Sequence, residues 1–142
     1  MELKEFIKSN NVDFTKNRIG KTQINDLEKA VGVEFGAEVV EYIYKYGYLG
    51  FEEAELYGVN SKQMLDSDMI KQTIYLHKYF PKTKNLIAIE NKGDGYYILV
   101  DTEDNVYEYI SEEDKLIKTE TKLFQYILKR FEDIKSKKWW NK

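Results

Sequence analysis

The sequence predicts a single α+β domain whose helices cover a mainly antiparallel β-sheet. Three observations predict it. Apolar residues recur at helical spacing at the front, middle and end of the chain. Between those segments lie short apolar or aromatic runs with brief connections, which suit antiparallel rather than crossover pairing. Within residues 96–100, Tyr96, Ile98 and Val100 alternate with Tyr97 and Leu99. Both faces of that run are apolar, so it reads as a central strand covered on each side. The chain has 142 residues, of which 42% are hydrophobic and 15% aromatic. That is enough for one core and too little for two. The domain is assigned to residues 1–136, with 137–142 as a tail.

Residues 2–9 read as a short helix with Leu3, Phe6 and Ile7 on one side, followed by a polar stretch to Lys21. In "TQINDLEKAVG", Thr22 is the expected cap, Ile24, Leu27 and Val31 are the inner stripe, and Gly32 is the stop. A third helix opens near Gly36, carries Val39, Val40, Ile43 and Tyr46 inward, and ends at Gly47. Two short strands follow: Leu49 and Phe51 mark the first and, beyond a small acidic turn, Leu56, Tyr57 and Val59 mark the second. Met64, Leu65, Met69, Ile70, Ile74 and Leu76 mark the next helix, broken by Pro81. "NLIAIE", "YYILVD" and "NVYEYI" are strands, the last two joined as a hairpin through Thr102–Asn105. "KLIKT" adds a further strand. The closing helix carries Leu123, Phe124, Ile127, Leu128, Phe131 and Ile134 on one face.

Net charge is only -3, but it is unevenly distributed. Residues 34–60 hold six acids against one Lys, and residues 93–114 hold eight acids against no base. Residues 115–142 hold nine bases against three acids. The acidic middle argues against direct nucleic-acid binding, because phosphates need Lys and Arg. No run is apolar enough for a membrane span, and the start lacks a signal-peptide pattern, so a cytoplasmic protein is expected.

The chemistry-bearing motifs favour structural roles. Gly93-Asp94-Gly95 is turn chemistry. It lacks the Lys and Ser/Thr of a phosphate loop and the alternating ligands of a calcium loop. His77 is the only histidine and there is no cysteine, so a zinc site would need several carboxylates. No nucleophile elbow accompanies His77. No cofactor, metal or catalytic residue is assigned. Trp139 and Trp140 follow Lys137 and Lys138; packing back and contact with a partner are both open to this tail, and disorder is the default expectation at a terminus.

The ordered series of small matches resembles the SUKH superfamily, the SMI/KNR-type domain. Ile24, Leu27, Glu28, Gly32 and Gly47 match its helical opening. Glu55, Leu56, Tyr57 and Gly58 match its Glu-Leu-Tyr-Gly segment. Gly93, Asp94 and Gly95, followed by Val106 and Tyr107, match its strand core. Phe35-Gly36 departs from the Leu-Pro of many members. The resemblance spans residues 20–132.

That resemblance implies a non-catalytic interaction domain. Bacterial members are commonly immunity proteins that bind and neutralise a toxin domain, often a nuclease. On this reading the partner is a cognate toxin domain that is basic where it grips phosphates. The expected contact surface is acidic: Glu52, Glu53, Glu55, Asp101, Glu103, Asp104, Glu108, Glu112, Glu113 and Asp114. Tyr48 and Phe51 belong to it as aromatic anchors, with Tyr57, Tyr107 and Tyr109 as further candidates. A homodimer is compatible with it. Two alternatives stand beside it: a regulatory scaffold domain, and a carboxylate-based hydrolase, which would need two opposed carboxyls in a cleft.

Overall fold

The computed structural model describes residues 1–15, 19–59 and 67–140, with side chains described as far as Lys137. The chain is an α+β domain with two antiparallel sheets and five helices among the described residues.

Helix α1 (Leu3–Ser9) buries Leu3, Phe6 and Ile7. Strand β1 (Asp13–Phe14) joins β2 (Leu49–Phe51) and β3 (Ala54–Glu55) in a small sheet of order β1-β2-β3. Helix α2 (Lys21–Val31) begins one residue before the expected cap. Gly20 precedes it, and its N–H donates to Gln23 Oε1 at 2.6 Å, so Gln23 rather than Thr22 secures the start. Gly32 ends it in the left-handed conformation. Glu28 then accepts the Phe35 N–H at 2.7 Å and ties the following loop back to α2. Helix α3 (Ala37–Lys45) buries Val39, Tyr42 and Ile43, and the N–H groups of Tyr46 and Gly47 both donate to the Tyr42 carbonyl at its end.

Helix α4 (Met69–Tyr79) is capped by Asp68, which accepts the Lys71 N–H at 2.9 Å. Its inner line is Met69, Thr73 and Leu76; Ile74, expected to point inward, is 45% exposed. Met64 and Leu65 lie outside the described residues.

The larger sheet is a meander of order β4-β5-β6-β7, formed by β4 (Ile87–Asn91), β5 (Tyr96–Val100), β6 (Asn105–Ile110) and β7 (Lys115–Lys122). β7 is longer than the expected five-residue strand and pairs with β6 along most of that strand. Strand β5 is central, as its two apolar faces require. The sheets are linked where Leu56 bridges Glu90 and the Tyr57 N–H donates to Ile89 O at 2.7 Å. Thr73 of α4 accepts the buried Ala88 N–H beside a bulge in β4. Helix α5 (Leu123–Trp140) covers the other face and carries the backbone helix past residue 136.

Two side chains anchor three elements. Asp104, in the β5–β6 turn, accepts the N–H groups of Glu38 at 3.0 Å and Val39 at 3.2 Å, capping α3. Glu38 in turn accepts the Phe124 N–H at 2.8 Å and helps cap α5. Leu49, Leu56, Ile98, Leu99, Ile127 and Phe131 lie in one core cluster between these layers.

Candidate functional site

The acidic stretch 101–114 does not form one patch. Strand β6 separates its two halves: Asp101–Asp104 at one end, Glu112–Asp114 at the other. Six residues at about 3.4 Å each place those ends roughly 20 Å apart.

At the first end the carboxylates serve the fold. Asp104 is 6% exposed, so burial removes it from the candidate contact surface. Asp101 is half-buried. Its Oδ1 accepts the N–H groups of Glu103 and Asn105, and its Oδ2 accepts Asn105 Nδ2 and the Tyr107 hydroxyl. Burial alone would raise its pKa, but those hydrogen bonds outweigh it and hold the carboxyl below its ordinary value. Glu103 is exposed, and Lys122 donates to its backbone carbonyl.

The other end is more open. Ser111 bonds Gly95 through both its N–H and its hydroxyl, which closes the Gly93–Gly95 turn against the 3₁₀ turn Ser111–Glu113. Gly93, Asp94 and Gly95 have φ of 102°, 54° and 75°, a run of left-handed residues that favours Gly and Asp. Glu55 lines a depression with Asn91 and Gly93 and therefore sits at this same end. Glu52, Glu53, Glu55, Glu112, Glu113 and Asp114 are all exposed. Glu108 is half-buried within β6 and accepts the Tyr96 hydroxyl at 2.8 Å.

The expected aromatic anchors are mostly core. Phe51 is 6% exposed and packs on Phe6 and Phe131 at ring distances of 5.3 and 5.4 Å, so it leaves the contact surface. Tyr57 and Tyr109 are likewise buried. Tyr48 is half-buried with its hydroxyl 3.4 Å from Glu55; burial first, and that carboxylate second, push its pKa up to about 12. Tyr107 is half-buried over Asp101.

Exposed aromatics lie elsewhere: Phe14 on β1, Tyr44 on α3, and an adjacent pair on α4. Tyr75 is 45% and Tyr79 57% exposed, with ring centroids 5.0 Å apart. Tyr75 contacts Phe80 at 6.3 Å, and Phe80 meets Tyr109 edge-on at 5.5 Å. The Tyr109 hydroxyl donates to Asp114, which holds that carboxyl below its ordinary pKa. Lys82 pairs with Asp114 at 3.5 Å. This chain of contacts, the α4 ridge, joins an exposed aromatic pair through half-buried Phe80 and buried Tyr109 to an acidic turn. Its sequence signal was the four-residue spacing of Tyr75 and Tyr79, off the inner line of Met69, Thr73 and Leu76.

A second arrangement was not legible in the sequence. Glu90 is 1% exposed, and its Oε1 accepts the Tyr126 hydroxyl at 2.5 Å. Arg130 places Nε and Nη2 each 3.1 Å from Glu90 Oε2. Burial would lower the Arg130 pKa, but the hydrogen bond and charge of Glu90 outweigh it and raise it. This network ties α5 to β4. His77 is similarly structural: its Nε2 lies 2.7 Å from the Leu86 carbonyl oxygen, which can only accept, so that nitrogen donates. Among the described residues, no three His, Asp or Glu side chains converge as metal ligands. No helix there is long and apolar enough to cross a membrane.

The family model SUKH_5, described as SMI1-KNR4 cell-wall, matches residues 2–132. No curated protein matches the chain.

Proposed function

The chain belongs to the SMI1-KNR4 family of SUKH domains, and from that premise we propose that it is an immunity protein that binds and neutralises a cognate toxin domain. The reading rests on the α4 ridge: Tyr75 and Tyr79 stand exposed and connect through Phe80 and Tyr109 to the acidic turn 112–114. A nuclease toxin carries a basic cleft where it grips phosphates. Glu112 and Glu113, with Glu55 at the same end, supply the opposite potential. Such complementarity accelerates encounter and fixes orientation. Tyr75 and Tyr79 supply large rigid area at low entropic cost, the property that makes tyrosine a frequent anchor. The contact surface moves accordingly, away from Phe51, Asp104 and the β5–β6 turn.

The test is co-expression with the product of an adjacent toxin gene. Growth is rescued by the native chain and lost with Glu112→Lys/Glu113→Lys. Absence of rescue by the native chain would transfer the ridge to a regulatory scaffold role.

A further inference from the structure

A groove on a different face carries an inference beyond the proposed function. It runs between α1, α3 and α5 as two joined depressions of about 420 and 280 Å³ that share Lys4, Lys45 and Tyr46. Each volume is near or within the range of about 300–1,000 Å³ common for small-ligand sites. The larger depression has Tyr46, Phe124 and Leu128 in its wall, with Glu2 and Glu41 at its edge. The smaller has Ile7, Phe14 and Tyr46 as its apolar wall, and among the described residues every charged one lining it is a lysine: Lys4, Lys8 and Lys45.

The charge therefore changes along the groove while the wall stays apolar. Lys4 and Lys8 are both exposed and stand one turn apart on α1, on the same face. Glu41 pairs with Lys45 at 3.4 Å. Phe14 is 40% exposed and meets Tyr46 edge-on at 6.1 Å, leaving apolar surface open in the depression that Lys4, Lys8 and Lys45 also line.

We infer that this groove binds an amphiphile with an unbranched apolar body and one anionic head, of the long-chain carboxylate class. The head lies against Lys4 and Lys8, where an ionised acceptor gains charge-assisted hydrogen bonds, with Lys45, already paired with Glu41, at the boundary between the two depressions. The chain runs past Tyr46 toward Phe124 and Leu128, where it removes apolar surface from water. The carboxylates of Glu2 and Glu41 disfavour the reverse orientation. Lysine stems extend the apolar wall while their heads stay at the mouth.

The test uses the full chain titrated with sodium decanoate and sodium dodecanoate, both below micelle formation. Binding is followed by calorimetry and by amide chemical shifts. Saturable one-site binding is expected, tightening about three- to fourfold per added methylene. Shifts should concentrate on α1, Phe14, Tyr46 and Phe124. Lys4→Glu/Lys8→Glu replaces exposed residues and should keep the native melting temperature while weakening dodecanoate at least about tenfold. Dodecyltrimethylammonium should bind the native chain about tenfold more weakly than dodecanoate. The inference is overturned by no saturable binding below micelle formation, or by equal affinity for the cationic amphiphile. Binding to anionic vesicles without binding of monomeric dodecanoate would also overturn it and assign the face to a lipid surface. A Phe14→Ser variant gives a second, charge-neutral reading: weaker binding with no change in head-group preference.

Discussion

Asp104 occupies the space that a side chain at Gly36 would need. A Cβ built on Gly36 would lie 2.5 Å from Asp104 Cγ and 2.7 Å from Oδ2. Gly36 has an ordinary φ of -69°, so the glycine is required by close approach rather than by backbone conformation. The departure of Phe35-Gly36 from the Leu-Pro of many relatives thereby acquires a reason. A proline would carry the same Cβ into the carboxylate that caps α3.

Gly36→Ala should therefore lose about 1–3 kcal/mol of stability by overpacking. Asp104→Ala should lose about 1–2 kcal/mol with the cap, and somewhat more because position 104 sits at φ 65°. The two losses should be less than additive, since removing the carboxylate opens the space that the added methyl group needs. Urea unfolding of both single variants and the double variant measures this; strict additivity would refute the coupling.

Asp101 predicts an acid-dependent loss. Its folded-state pKa lies below its unfolded value, so its stabilisation is complete above the ordinary Asp pKa of about 3.9 and fades as pH falls through the folded value. Asp101→Asn cannot titrate. The stability gap between native chain and Asp101→Asn should be about 1–2 kcal/mol at pH 7 and should shrink below about pH 4. Thermal melts across pH 2.5–7 on buffers of ~0.1 M ionic strength check the convergence.

Glu90 holds Tyr126 and Arg130 together in a dry setting. Glu90→Ala should cost about 2–4 kcal/mol, because it removes the charged acceptor of both Tyr126 and Arg130 at once. Tyr126→Phe removes one neutral donor and should cost only about 1–2 kcal/mol. Denaturation midpoints that rank the two variants in the opposite order would show that Arg130 does not depend on Glu90.

For the ridge, Glu112→Lys/Glu113→Lys should leave stability within about 0.5 kcal/mol, since both residues are exposed. It should slow association with the proposed toxin partner and reduce the salt dependence of that rate. Tyr79→Ala should act on dissociation instead, speeding it about tenfold. Surface-based kinetics at two salt concentrations separate the effects.

Most element types were readable because their cause is local. The periodicity of Ile24, Leu27 and Val31 requires a helix, and Gly32 stops it. The alternation from Tyr96 to Val100 requires a strand covered on both faces, and β5 is central for that reason. The ordered matches from Ile24 to Tyr107 placed the chain in its family. Thr22 was misplaced as a cap because Gln23 reaches Gly20 first. Ile74 was misplaced because the α4 spacing fits more than one face, and Thr73 takes the inner position by bonding Ala88.

The candidate site was legible in chemistry but not in position. Sequence alone determined that the middle of this chain is acidic and that its Gly93-Asp94-Gly95 segment is a turn. Only the tertiary structure decided which carboxylates remain on the surface. Asp104 went to a helix cap 66 residues away in sequence from Glu38, Asp101 to its own turn, and Glu112 and Glu113 to solvent. A carboxylate looks the same along the chain whether its partner is water or a distant N–H. Its role follows from which orphan donors the packed helices bring to it.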